Sequence, residues 1–136
     1  MRIYIQGTFD LFHAGHINLL KRANELGDVV VALLTDELVE RYRGKPPIIS
    51  YENRKACLES CEYVDIIIPI DDLSKTKDQI RGYECDLVAL GTDWAIKDIY
   101  KQYRMTEKEL GPKLIFFPYT KDISSTSIKK RINELT

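Results

Sequence analysis

Apolar and polar positions change period repeatedly along this chain. Arg2-Ile3-Tyr4-Ile5-Gln6, Val29 to Leu34, Ile66-Ile67-Ile68, Leu87 to Leu90 and Leu114 to Phe117 are short runs, mostly apolar on both faces. That is the pattern of parallel strands buried on both sides. Between them apolar residues recur at helical spacing over Ile17 to Leu26, closed by Gly27, then over Glu52 to Glu59, over Lys75 to Arg81, closed by Gly82, and over Ile96 to about Tyr103; a last helix is expected from Ser127 to Leu135. Strand and helix alternating in so short a chain predict an α/β fold: a single doubly wound, Rossmann-like domain over residues 1–136 with about five parallel strands. Such sheets bind ligands beyond the carboxyl ends of their strands, where the strand order reverses. The places to search are therefore the loops Gly7 to Gly15, Thr35 to Pro47, Gly91 to Trp94 and Pro118 to Ser125.

Composition narrows what those loops can serve. The chain has 136 residues, is 44% hydrophobic and 30% charged, and has a formal net charge of -1, which suits one core and offers no broad positive field for nucleic acid or an anionic membrane. An anionic ligand would need local positive potential. Three cysteines, Cys57, Cys61 and Cys85, form no CxxC pair and read as reduced packing residues of a cytosolic protein. Without a leader sequence or an apolar run of spanning length, a soluble cytoplasmic protein is expected.

Both histidines of the chain lie in the first loop, Gly7-Thr8-Phe9-Asp10-Leu11-Phe12-His13-Ala14-Gly15-His16. Gly7 allows close backbone approach, Asp10 can accept from free N–H groups of the turn, and a helix begins near His16. A helix start offers unpaired N–H groups and partial positive charge to a phosphate. The spacing HxGH can aim two imidazoles at one point, with Gly15 leaving the space between them open. A zinc clip lacks companion ligands, and the glycines do not fit a GxGxxG loop; histidines that merely satisfy turn backbone remain an alternative.

A second signal comes late. In Ile123-Ser124-Ser125-Thr126-Ser127-Ile128-Lys129-Lys130-Arg131 hydroxyls precede a helix with a basic first turn. Bases there oppose the helix dipole, and an anion at the helix start would justify them; alone, the stretch also fits an ordinary Ser/Thr N-cap. Arg41-Tyr42-Arg43-Gly44-Lys45 is a basic cluster that also reads as a solvated loop. Arg54 could point to the same cleft or pair with Glu52 or Asp36, and in Gly91-Thr92-Asp93-Trp94 the Trp94 side chain fits core or ligand contact.

"GTFDLFHAGHINLLKRANELGD", "TDE", "SYENRK", "YVD", "GTDW" and "ISSTSIKKRI" together resemble the HxGH nucleotidyltransferase superfamily and, within it, the small cytidylyltransferases, most closely the glycerol-phosphate branch. The likeness runs in order from Ile5 to Ile132. Two departures stand out. Tyr119-Thr120-Lys121-Asp122 replaces an arginine-threonine-glutamate-glycine run that is common in the family, and the segment Asp98 to Gly111 is longer than the compact glycerol-phosphate pattern.

The resemblance implies transfer of a cytidylyl group from CTP to a phosphorylated alcohol, glycerol 3-phosphate first, with CDP-glycerol and pyrophosphate as products and cell-envelope polymers as the destination. Phosphocholine, phosphoethanolamine or ribitol phosphate as acceptor, or ATP as donor, are the alternatives. It further implies that His13 and His16 contact the triphosphate, that Arg43 and Lys45 close over the reacting phosphates, and that Gly7, Thr8, Phe9, Asp10, Gly15, Gly91 and Asp93 shape the nucleotide site. Ser124, Ser125, Thr126, Ser127 and Lys129 would hold the outer phosphates, and Arg54, Trp94, Tyr119 and Thr120 would meet the acceptor. Mg²⁺ is expected bound through the CTP phosphates with no protein metal site, and a homodimer built beside the first loop is expected.

Overall fold

The computed structural model describes residues 1–91, 98–118 and 120–136. Five strands, β1 (Arg2–Gly7), β2 (Asp28–Leu34), β3 (Ile66–Ile70), β4 (Leu87–Gly91) and β5 (Leu114–Phe117), form one sheet in the order β3-β2-β1-β4-β5. Every neighbouring pair is parallel, as the doubly apolar runs require. The order reverses between β1 and β4, so the crevice beyond their carboxyl ends is where a ligand fits. Alternate residues of a strand feed opposite cores. Ile3, Ile5, Val29, Val31 and Leu33 pack with Leu20, Ala23 and Leu58 on one side; Tyr4, Val30, Ala32, Leu34 and Ile68 pack with Leu38, Val39, Ile80, Tyr103 and Leu110 on the other. Among the described residues no helix is long and apolar enough to cross a membrane.

Seven helices surround the sheet among the described residues: α1 (Ala14–Asn24), α2 (Asp36–Arg43), α3 (Tyr51–Glu59), α4 (Thr76–Gly82), α5 (Ile99–Tyr103), α6 (Glu107–Leu110) and α7 (Ser125–Leu135). Several differ from the sequence expectation, and α6, a single turn, is absent from it altogether. α1 and α7 begin earlier, at Ala14 rather than Ile17 and at Ser125 rather than Ser127, because their first turns, Ala14-Gly15-His16 and Ser125-Thr126-Ser127, carry no apolar periodicity. α2 occupies most of what reads as the loop Thr35 to Pro47. Thr35 caps it through its hydroxyl, Asp36 and Glu37 fill its first turn, Leu38 and Val39 are buried, and Gly44 ends it at φ 85°. These are ordinary start and stop signals, hidden by a stretch only 8 residues long.

Arg54 on α3 locks this side of the fold. It is 1% exposed. Its Nη2 donates to Asp36 Oδ1 at 2.7 Å, Nη1 to the Thr8 carbonyl at 2.7 Å and Nε to the Ile49 carbonyl at 2.9 Å. Asp36 Oδ2 also accepts from the Tyr51 N–H at 3.2 Å, so one ion pair joins the starts of α2 and α3 to the loop after β1. Removing the buried guanidinium leaves the Thr8 and Ile49 carbonyls without their donor, whereas the Asp36 carboxylate, 37% exposed, keeps water. Arg54→Met is expected to lower unfolding stability by about 3 kcal/mol, measured by urea denaturation, whereas Lys55→Ala on the exposed side of the same helix should change it by about 0.5 kcal/mol or less.

Candidate active site

The switch point opens into a cleft of about 480 Å³. Gln6 and Gly7 at the end of β1 and Leu90 and Gly91 at the end of β4 line it, together with Thr8, Phe9, Asp10, His13, Gly15 and His16 from the first loop. Arg43, Thr120, Ser124 and Ser125 complete the set of expected residues at the cleft, and Tyr42, Gln102 and Tyr103 line it as well. Two stretches far apart in sequence, HxGH and the serine-rich turn, thus face one cavity.

The histidines are part of the helix start itself. His13 is the N-cap of α1, and its Nδ1 accepts from the Gly15 N–H at 3.0 Å; His16 Nδ1 accepts in return from the His13 N–H at 3.2 Å. The pair is therefore a reciprocal cap of the capping-box kind, built from imidazoles. The rings lie 3.8 Å apart, centroid to centroid, and His16 also stacks on Phe12 and meets Phe9. A Cβ at Gly15 would lie 2.8 Å from His13 Cε1, so only glycine leaves this stacking undisturbed. Burial lowers the pKa of His13, and burial with the nearby His13 brings His16 down to about 4. Near neutral pH both rings are uncharged. With Nδ1 accepting, each carries its proton on Nε2 and is a hydrogen-bond donor there.

Asp10 ties the loops together. Its carboxylate, on a residue 2% exposed, accepts from the N–H groups of Leu11, Ile48 and Ile49 at 3.1, 2.8 and 2.9 Å, and its carbonyl accepts from Ser125 Oγ at 2.7 Å. Asp10 is thus a brace whose carboxylate is filled by backbone donors. Ser124 caps α7: its Oγ accepts from Ser127 N at 2.9 Å while Ser127 Oγ accepts from Ser124 N at 2.8 Å. The Ser125 and Thr126 N–H groups have no partner among the described residues at the N-terminus of an 11-residue helix, beside the cleft that Ser125 lines.

Several expectations move. Arg54, read as an acceptor contact, is buried in the brace described above and does not line the cleft. Ser127 serves the cap, and Thr126, Lys129 and Lys45 lie outside the cleft lining, although Lys45 is exposed two residues from Arg43. Asp93, Trp94 and Tyr119 lie outside the described residues. Sequence reading missed Tyr42 and Gln102. Tyr42 stands inside the basic cluster, where the cations drew the attention, and Gln102 stands in the longer segment before β5, so both carried a signal of position but none of chemistry.

A sequence model of the family described as cytidylyltransferase-like matches residues 4–131. The chain is 38% identical over 132 residues to the glycerol-3-phosphate cytidylyltransferase of Bacillus subtilis (strain 168), covering 96% of each protein. It is 34% identical over 139 residues to the FAD synthase of Pyrococcus horikoshii, covering 99% of this chain and 94% of that protein. Among solved structures, a lipopolysaccharide core biosynthesis protein from Thermoplasma volcanium superposes with a TM-score of 0.71 at 26% identity, over 88% of this chain and 98% of the other. With its switch-point cleft, its HxGH helix cap and a family match over nearly its whole length, the chain belongs to the cytidylyltransferase-like family.

Proposed function

We propose that this chain transfers the cytidylyl group of CTP to glycerol 3-phosphate, giving CDP-glycerol and pyrophosphate. The observation that carries the reading is the stacked, neutral His13–His16 pair at the start of α1, facing the same cleft as the open start of α7. A phosphate oxygen of the acceptor attacks the α-phosphorus of CTP, the bond from that phosphorus to the bridging oxygen breaks, and pyrophosphate departs with the electron pair. The nucleophile is already ionised near neutral pH, so no strong base is needed. What the site supplies is position, and donors aimed at charge building on the α-phosphate and the leaving group. The two Nε2–H groups are such donors, and two helix N-termini add fixed positive potential. Arg43, which lines the same cleft, would meet the reacting phosphates, with Lys45 on the adjoining exposed turn.

Mg²⁺ enters in this reading as part of the CTP substrate. Asp10 is the one carboxylate lining the described part of the cleft, and backbone N–H groups fill it. In this reading phosphate oxygens and water are the Mg²⁺ ligands. The enzyme acts in the cytoplasm as a homodimer and supplies an activated polyol phosphate for envelope polymers. Ile17 on α1 and Ile48 beside the first loop, 37% and 57% exposed, suit an interface on that side.

Pyrophosphate release should be seen with CTP and glycerol 3-phosphate, and far less with ATP or with phosphocholine, phosphoethanolamine or ribitol 5-phosphate. An ATP preference, which the FAD synthase relative makes the alternative worth testing, would overturn the cytidylyl assignment. His16→Ala is expected to lower kcat roughly 100- to 1000-fold, with about 1 kcal/mol lost from the helix cap; turnover near wild type would contradict the role given to this ring. Folded His16 stays neutral down to about pH 4, whereas the unfolded residue takes up a proton from its ordinary value of 6.5. Between those values the unfolded state binds more protons, so this residue's contribution to stability rises with pH and is lost as pH falls. Denaturant midpoints of wild type and His16→Gln across pH 4 to 7 should show the shallower slope in the variant. Light scattering should give a mass of twice 15.8 kDa.

A further inference from the structure

The cleft has a second wall, away from the histidines, made by Gln6, Leu34, Tyr42, Arg43, Gln102 and Tyr103. Tyr42 closes α2 and Gln102 lies on α5, 60 residues later; the Tyr42 hydroxyl donates to Gln102 Oε1 at 2.9 Å. That bond leaves the Gln102 amide N–H groups without a partner among the described residues, along with lone pairs on the phenolic oxygen. Gln6 is held similarly: its Oε1 lies 2.8 Å from the Tyr4 hydroxyl and 2.9 Å from Thr76 Oγ1, and its amide nitrogen has no partner among the described residues. Arg43, beside Tyr42, forms no ion pair with a described residue.

Resting on the cytidylyl-transfer reading, we propose that Tyr42 and Gln102 determine the acceptor and select a small uncharged polyol phosphate over an amino-alcohol phosphate. Hydroxyl groups both donate and accept, and they match an oriented amide beside a phenol. Where a bound acceptor displaces water from this wall, an acceptor unable to make both kinds of hydrogen bond is disfavoured. An ammonium or trimethylammonium group would find no carboxylate on the described part of this wall and would face the Arg43 cation. The phosphate that both kinds of acceptor carry finds Arg43 next to the amide, so the choice between them is made at the other end of the molecule. α5, which supplies Gln102 and Tyr103, belongs to the segment that is longer than the compact family pattern, so that part of the wall can change without disturbing the HxGH cap.

Steady-state kinetics with CTP as donor and glycerol 3-phosphate or phosphoethanolamine as acceptor test the proposal in wild type, Tyr42→Phe and Gln102→Glu. Tyr42 is 51% exposed, and both substitutions keep the size of the side chain, so a thermal melt should match wild type. Tyr42→Phe should raise KM for glycerol 3-phosphate about tenfold, with KM for CTP unchanged. Gln102→Glu places a carboxylate where the amide stood and should shift the kcat/KM ratio toward phosphoethanolamine by about 100-fold. If wild type uses CTP and glycerol 3-phosphate but both variants keep its ratio within about twofold, the acceptor assignment of this wall is wrong while the cytidylyl reading stands. Variants that change KM for CTP instead would assign the wall to the nucleotide and overturn the proposal. Absence of CTP-dependent turnover by wild type with either acceptor would sink the functional reading and this inference with it.

Discussion

The site depends on one buried carboxylate. Asp10 accepts three backbone N–H groups and offers its carbonyl to Ser125, so the loop after β1, the segment before α3 and the start of α7 share a single anchor. Buried carboxylates are costly unless hydrogen bonds fill their lone pairs, and here the donors come from backbone that secondary structure does not use. Phe9 and Leu11, on either side of Asp10, adopt positive φ values of 53° and 51°, a conformation non-glycine residues rarely take. The anchor and the packing of Phe9 hold that strained loop, and the strained loop presents His13.

The second constraint is electrostatic. The chain carries a net charge of -1, so positive potential in the cleft has to be built locally. It is built largely without charged side chains: two helix N-termini and two neutral imidazoles face the cleft, with Arg43 at the rim. Burial disfavours a charge on either ring, the neighbouring His13 adds to this at His16, and engaging both Nδ1 atoms leaves the Nε2 protons as donors. Such donors stay in place without salt-bridge partners that the substrate would have to displace.

The fold was largely legible because its signals are local. Doubly apolar runs at Val29 to Leu34 and Leu87 to Leu90 marked buried parallel strands, and HxGH with the serine-rich turn marked two helix starts. Where reading failed, the deciding contact was distant or the element short. α2 is 8 residues long, and its cap Thr35 and terminal Gly44 bracket too little periodic sequence to stand out from a polar loop. Arg54 was ambiguous because its partners, Thr8 and Asp36, lie 46 and 18 residues away, and only the packing of α3 against the sheet brings them to the guanidinium.

By itself, then, the sequence determined the alternation of strands and helices, the pairing of two histidines across Gly15 and the family that those motifs mark, since each depends on residues within a turn or two of one another. Tertiary structure alone decided that Asp10 and Arg54 brace the loops, that the imidazoles are neutral and oriented by the backbone, and that Tyr42 meets Gln102 on one wall of the cleft. Those outcomes depend on burial and on contacts between remote segments. Neither can be computed from local spacing, because the sheet order that creates them is a property of the whole chain.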